Sequence, residues 1–107
     1  MIVMKFGGTS VGNAERIRKT CEIIKSQISR KPVVVVSAVA KVTDLLIKLA
    51  EEASKGAEDG TLDNLRNIHY KIMEDLKLEK HLLDNDLNEL NEAVNKTKSS
   101  KQLNANM

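Results

Sequence analysis

Four consecutive valines, Val33 to Val36, set between Pro32 and Ser37-Ala38, constrain this chain more than any other run. β-branched side chains favour extended backbone. A run without polar alternation predicts a strand buried on both faces, as parallel strands are. The apolar opening Ile2-Val3-Met4 predicts another strand over residues 2–6. One helix fits between them. Asn13 is placed to cap it, with Glu15 in its first turn. Ile17, Cys21, Ile24 and Ile28 recur at helical spacing, which puts them on one face and makes Cys21 a small core residue. Pro32 disfavours helix in the residue before it, so the helix stops near Arg30. Strand, helix and strand over this length predict two parallel strands with a right-handed crossover.

Parallel strands put both carboxyl ends on one edge, where open α/β sheets bind ligands. One end carries Met4-Lys5-Phe6-Gly7-Gly8-Thr9-Ser10-Val11-Gly12, and the other carries Ser37-Ala38. Glycines let backbone N–H groups approach a ligand, and a lysine adds a mobile positive charge. That chemistry suits phosphate. The common P-loop needs its lysine after the glycines, at the start of a helix. Here Lys5 precedes Gly7 and Gly8, on the strand. The spacing is not the G-x-G-x-x-G of dinucleotide-binding folds either.

The order Lys5-Phe6-Gly7-Gly8-Thr9-Ser10-Val11 resembles the opening signature of the aspartokinases, within the amino-acid kinase family. Pro32 to Ala38, followed by Val39-Ala40-Lys41-Val42-Thr43-Asp44-Leu45-Leu46, is similar to their second signature. The likeness is sharp from Met1 to about Leu49. It implies an α/β fold, a three-layer sandwich, of which this chain holds the N-terminal strand–helix–strand unit and a helical pair. It also implies transfer of the ATP γ-phosphoryl group to the side-chain carboxylate of L-aspartate, the first step towards lysine, threonine and methionine. ATP and Mg2+ are then the expected cofactors. The resemblance assigns Lys5, Phe6, Gly7 and Gly8 to the ATP phosphates, with Lys5 as the catalytic charge. Ser10, Ser37 and Thr43 fall at substrate-facing positions, Thr43 also being placed to cap the next helix. No residue is a convincing metal ligand, so the ion is expected to be held by nucleotide and water. A homo-oligomer is implied for the intact enzyme.

The chain has 107 residues, room for one domain but several times fewer than a complete aspartokinase. No Gly-Glu pair, the family's aspartate-binding motif, occurs in it. Alone, the chain is therefore expected to be inactive. Three alternatives stay open: an amino-acid kinase with another acceptor, a non-catalytic module binding nucleotide or a partner, and an α/β remnant with no activity.

The remainder predicts helices. Leu45, Leu46, Leu49 and Ala53 form one apolar face. Gly56 and Gly60 bracket the polar loop Ala57-Glu58-Asp59. Thr61 is placed to cap a helix carrying Leu62, Leu65, Ile68, Ile72, Met73 and Leu76, and another helix is predicted from about Leu78 to Val94. Residues 1–94 are expected to form the kinase part, with a polar tail, 95–107, expected to fray. His69 and His81 stand far apart, and the acidic run near Asp84 lacks calcium-loop spacing. Residues 1–53 hold nine Lys/Arg and five Asp/Glu (+4), the rest eight and ten (−2), summing to the net +2. That balance and only two aromatics, Phe6 and Tyr70, give no case for nucleic acid. No apolar run reaches membrane-spanning length, and a cytoplasmic protein is expected.

Overall fold

The computed structural model describes residues 1–57 and 59–105; Glu58, inside the predicted polar loop, and Asn106 and Met107, at the end of the predicted tail, lie outside the described residues. The chain divides into two compact units, Met1–Thr43 and Asp44–Met107.

The first unit is the strand–helix–strand unit. Strand β1 (Ile2–Phe6) leads through a 3-10 turn, Gly8–Val11, into helix α1 (Ala14–Ser26), and a second 3-10 turn, Ile28–Arg30, leads into strand β2 (Pro32–Val36). The strands pair in parallel, with Ile2 opposite Pro32, Lys5 opposite Val35 and Phe6 opposite Val36. Asn13 caps α1 as expected, its Oδ1 accepting the Arg16 N–H at 2.9 Å. Lys31, just before Pro32, adopts a left-handed backbone (φ 52°) that stops the second turn. The sequence thus sets the unit by local signals: β-branched runs, a cap and a proline.

Burial departs from expectation in two places. Val33 to Val36 are exposed, Val36 to 56%, so β2 is not covered on both faces. A continuous apolar run shows that a strand is built to be covered, and covering takes a further layer. In α1, Cys21 is exposed, as is Ile28 in the 3-10 turn beyond it, while Ala14 and Thr20 are buried and Ile17 and Ile24 half-buried. The inward stripe is therefore rotated by one residue, from Cys21 to Thr20. A polar side chain wins that place because its hydroxyl has a backbone acceptor there, described below.

Helix α2 (Val42–Ser54) starts at the end of the first unit and runs into the second, followed by α3 (Thr61–Asp75) and α4 (Asp84–Ala105). The core of the second unit holds Leu49, Ala53, Leu62, Leu65, Met73, Leu87 and Val94, with Leu49 and Leu65 almost wholly buried. Each of those two leucines contributes about 1.5–3 kcal/mol through burial. Gly56 and Gly60 both have positive φ and bracket the α2–α3 connection. Thr61 is not the cap expected of it. Gly60 takes that place, and Thr61 is the first helical residue, fully buried. Its hydroxyl reaches both carboxylate oxygens of Glu52, at 2.7 and 3.0 Å. This bond, chiefly, lowers the Glu52 pKa; partial burial opposes it, and the Asp59 N–H and the Lys48 charge assist.

Helix α4 begins six residues later than expected. Helix α3 closes first: Lys77 takes a left-handed conformation (φ 58°), its N–H bonds the Glu74 carbonyl, and the Leu78 N–H bonds the Met73 carbonyl. This is the double-bonded helix stop that usually employs glycine. At the other end, α4 continues from Val94 to Ala105, beyond the end expected for it. The run from Asn95 holds neither proline nor glycine, so nothing local stops the helix.

Candidate functional site

Chemistry-bearing residues of the first unit gather at the carboxyl edge of its sheet. The Ser37 N–H donates to the Phe6 carbonyl at 3.0 Å, extending the ladder by one bond and fixing the two strand ends side by side. From there the two loops lie against each other. A Cβ built on Gly8 would stand 3.6 Å from the Ala38 carbonyl oxygen, 3.7 Å from the Ala40 Cα and 3.9 Å from the Ser37 Oγ. The runs Gly7-Gly8-Thr9-Ser10 and Ser37-Ala38-Val39-Ala40, about thirty residues apart in sequence, form one backbone-lined edge.

The two glycines differ. At Gly8 a side chain would fill the gap between the loops. At Gly7 it would meet no atom within 4 Å, and the backbone (φ −80°) suits any residue. The neighbouring protein atoms therefore give no reason for glycine at position 7. A third glycine, Gly12, is the tightest: an added Cβ would stand 3.3 Å from the Gly8 carbonyl oxygen and 3.4 Å from the Ala40 Cβ. Gly12 clamps the glycine loop on the second loop. The motif order gave no separate signal for it.

Ser10 is held by its backbone: its N–H bonds the Gly7 carbonyl at 3.0 Å, and its own carbonyl accepts the Thr20 hydroxyl at 2.7 Å. Thr20 is 5% exposed. It ties the 3-10 turn to α1 and so fixes the loop's path. Sequence reasoning missed it, because a single threonine in a helix has no motif; its only signal is that it stands next to Cys21, which the spacing predicts to lie on the inward stripe.

Lys5 is exposed, on the sheet face shared with Val3, Val33 and Val35, and it has no ion pair among the described residues. Phe6, on the opposite face, is half-buried and offers its carbonyl to Ser37. Ser37 is exposed. Thr43 does not cap α2. The Val42 N–H bonds the Val39 carbonyl at 3.0 Å, and Thr43 is the second helical residue, exposed in the first turn. Lys41 precedes the helix in a left-handed conformation (φ 71°), which turns the chain before Thr43 can take the cap. Lys5, Gly7, Gly8, Ser10, Ser37 and Thr43 thus all lie in the unit ending at Thr43. No group of three potential metal-ligating side chains occurs among the described residues.

Comparison with known proteins gives the family and the fold. A Chlamydia trachomatis aspartokinase is 45% identical over 78 residues, which are 73% of this chain and 17% of that protein. Among solved structures, Clostridium acetobutylicum aspartate kinase superposes with a TM-score of 0.77 at 23% identity, over 87% of this chain and 23% of its own. Escherichia coli aspartokinase III, in complex with aspartate and ADP, gives 0.69 at 32% identity, over 94% of this chain and 22% of its own. This chain therefore spans about a fifth of the length of these proteins. The fold is the α/β fold of the aspartate kinases, represented here by the two-stranded parallel sheet and four helices. The pattern of the amino acid kinase family matches residues 1–106, and the chain belongs to that family.

Proposed function

We propose that this chain forms the phosphate-facing and aspartate-facing edge of an aspartate kinase, an enzyme that moves the γ-phosphoryl group of ATP to the side-chain carboxylate of L-aspartate, giving 4-phospho-L-aspartate. The observation that carries the reading is the meeting of the two loops: the Ser37–Phe6 bond and the close approach of Gly8 to Ala38 and Ala40. The E. coli relative's complex with aspartate and ADP supports the same pair of ligands.

The reaction brings two anions together, so it needs fixed positive charge and oriented donors. Lys5 supplies a charge with no competing ion pair among the described residues. Gly7 supplies backbone with nothing of the protein over it, and Gly8 a gap that a Cβ would fill. Such a cradle accepts phosphate oxygens, and the ammonium offsets the charge that spreads over the transferred group in the transition state. Ser10, Ser37 and Thr43 orient the acceptor amino acid. Mg2+, as expected for phosphoryl transfer from ATP, would be held by the nucleotide and water and would supply positive charge against the phosphates. The enzyme acts in the cytoplasm as a homo-oligomer, at the head of lysine and threonine synthesis.

A chimera tests this reading. The chain replaces the matching segment of the C. trachomatis aspartokinase, and aspartyl hydroxamate formation is followed with Mg-ATP and aspartate. The chimera is expected to be active, and Lys5→Ala to lower its turnover at least about 100-fold, the scale for removing one group that stabilises transition-state charge. Undiminished turnover in the Lys5→Ala chimera would falsify the role of Lys5.

A further inference from the structure

The second unit carries a cleft that the kinase chemistry does not use. It lies at the turn between α3 and α4, with a volume of about 670 Å³, and is lined by Tyr70, Met73, Glu74, Lys77, Leu78, Lys80, His81 and Asp84. That volume is in the range of small-molecule sites, which combine apolar walls with a few convergent polar groups. Here Met73, 4% exposed, offers apolar surface from the core, while Tyr70 and Leu78 stand 37% and 45% exposed.

The polar groups are arranged unequally. Asp84 is already engaged: its Oδ2 meets His81 Nδ1 at 2.7 Å, and its Oδ1 accepts the Tyr70 hydroxyl at 3.5 Å. That fixes the His81 ring by one nitrogen and leaves Nε2 for another partner. Lys77 and Lys80 have no ion pair among the described residues, and neither has Glu74. Lys77 and Lys80 thus offer two unpaired ammonium groups against the one unpaired carboxylate of Glu74, the Asp84 carboxylate being held by His81 and Tyr70. We propose that this cleft is a binding site for a small amphipathic monoanion, a carboxylate on an aromatic or aliphatic body. Its apolar part lies on Met73, Leu78 and Tyr70, and its carboxylate meets Lys77 and Lys80. The site is independent of the phosphate-binding edge and of the kinase reading.

The backbone supplies a clean test. Lys77 occupies the left-handed stop of α3, where glycine is the favoured residue. Lys77→Gly therefore removes the ammonium while relieving strain, so a loss of binding cannot be charged to unfolding. The 107-residue chain, labelled with 15N and with 13C at methionine methyls, is titrated with 4-phenylbutyrate and, in parallel, with 4-phenyl-1-butanol. Saturable shifts are expected at the Met73 methyl and at the amides of Leu78 and His81. The alcohol should bind at least fivefold more weakly, and Lys77→Gly with Lys80→Ala should weaken the carboxylate at least fivefold without lowering the midpoint of thermal unfolding. The proposal is overturned by non-saturable shifts, by equal affinity for the alcohol, or by a double variant that binds as tightly as the parent.

Discussion

The two units are stabilised and exposed in opposite ways. The first presents backbone. Its strand ends, glycines and 3-10 turn are held by single hydrogen bonds, from Ser37 to Phe6, Ser10 to Gly7 and Thr20 to Ser10, and its valine face is open. The second buries side chains. Leu49 and Leu65 are almost wholly enclosed, with Ala53, Leu62, Met73, Leu87 and Val94 around them. A surface proposed to hold phosphates must keep N–H groups and space available, and so forgoes packing. Helices on either side of polar loops meet no such demand. Stability and chemistry are therefore expected to separate along the chain, and substitutions in each unit can break that division.

The largest effect belongs to Leu65→Ala. A leucine 1% exposed, shortened to alanine, loses transfer free energy and leaves a cavity, at a cost of about 2–5 kcal/mol. Urea unfolding followed by circular dichroism measures it. A loss below about 1 kcal/mol would mean that the helical core contributes far less than its burial implies, and the division between units would fall.

A smaller, pH-dependent effect attaches to Glu52. Its carboxyl pKa is lowered, first by the Thr61 hydroxyl and then by the Asp59 N–H and the Lys48 charge, against partial burial. A folded pKa below the unfolded one means that the unfolded chain binds more protons in the window between the two. The stabilisation is thus complete above the ordinary carboxylate range and is lost as pH falls through the lowered value. Glu52→Gln should melt at a lower temperature than the parent at pH 7, the gap narrowing as acid is added. A gap that stays constant down to pH 3 would show that the Thr61 contact is indifferent to charge.

Legibility from sequence followed the range of the forces involved. The strand–helix–strand unit was readable because its signals are local: the Val33–Val36 run, the Asn13 cap and the break at Pro32 each act within a few residues. The placement of Lys5, Gly7, Gly8 and Ser37 at one sheet edge was readable because parallel pairing brings both strand ends there. The caps expected of Thr43 and Thr61 were misjudged because a threonine at a helix start suits the cap and the first turn alike. The choice was made by the left-handed residues at Lys41 and Gly60. Helix α4 was begun too early because Leu78, Leu82 and Leu83 carry apolar signal, while the Lys77 stop is a backbone event without a glycine to announce it. Thr20 and Gly12 act by supporting other backbone, so each depends on partners that no local pattern specifies.

The smallest predicted effect is the most direct probe of the open sheet. Val35 is 47% exposed and stands opposite Lys5. Val35→Thr keeps the β-branched shape and replaces one methyl by a hydroxyl. At a site reached by water that hydroxyl stays hydrated, and surface substitutions of this kind fall within about 0.5 kcal/mol. At a covered site the same change strands a polar group and costs about 1–3 kcal/mol. The substitution thus reports whether anything lies over the valine face in solution. Unfolding at two protein concentrations, a hundredfold apart, separates the sources of cover. A cost below 0.5 kcal/mol at both leaves the face open, as the structure has it. A cost that appears only at the higher concentration means that copies of the chain associate there. A large cost at both concentrations means that the chain itself covers the face, and the contrast between an open first unit and a packed second one would then fail.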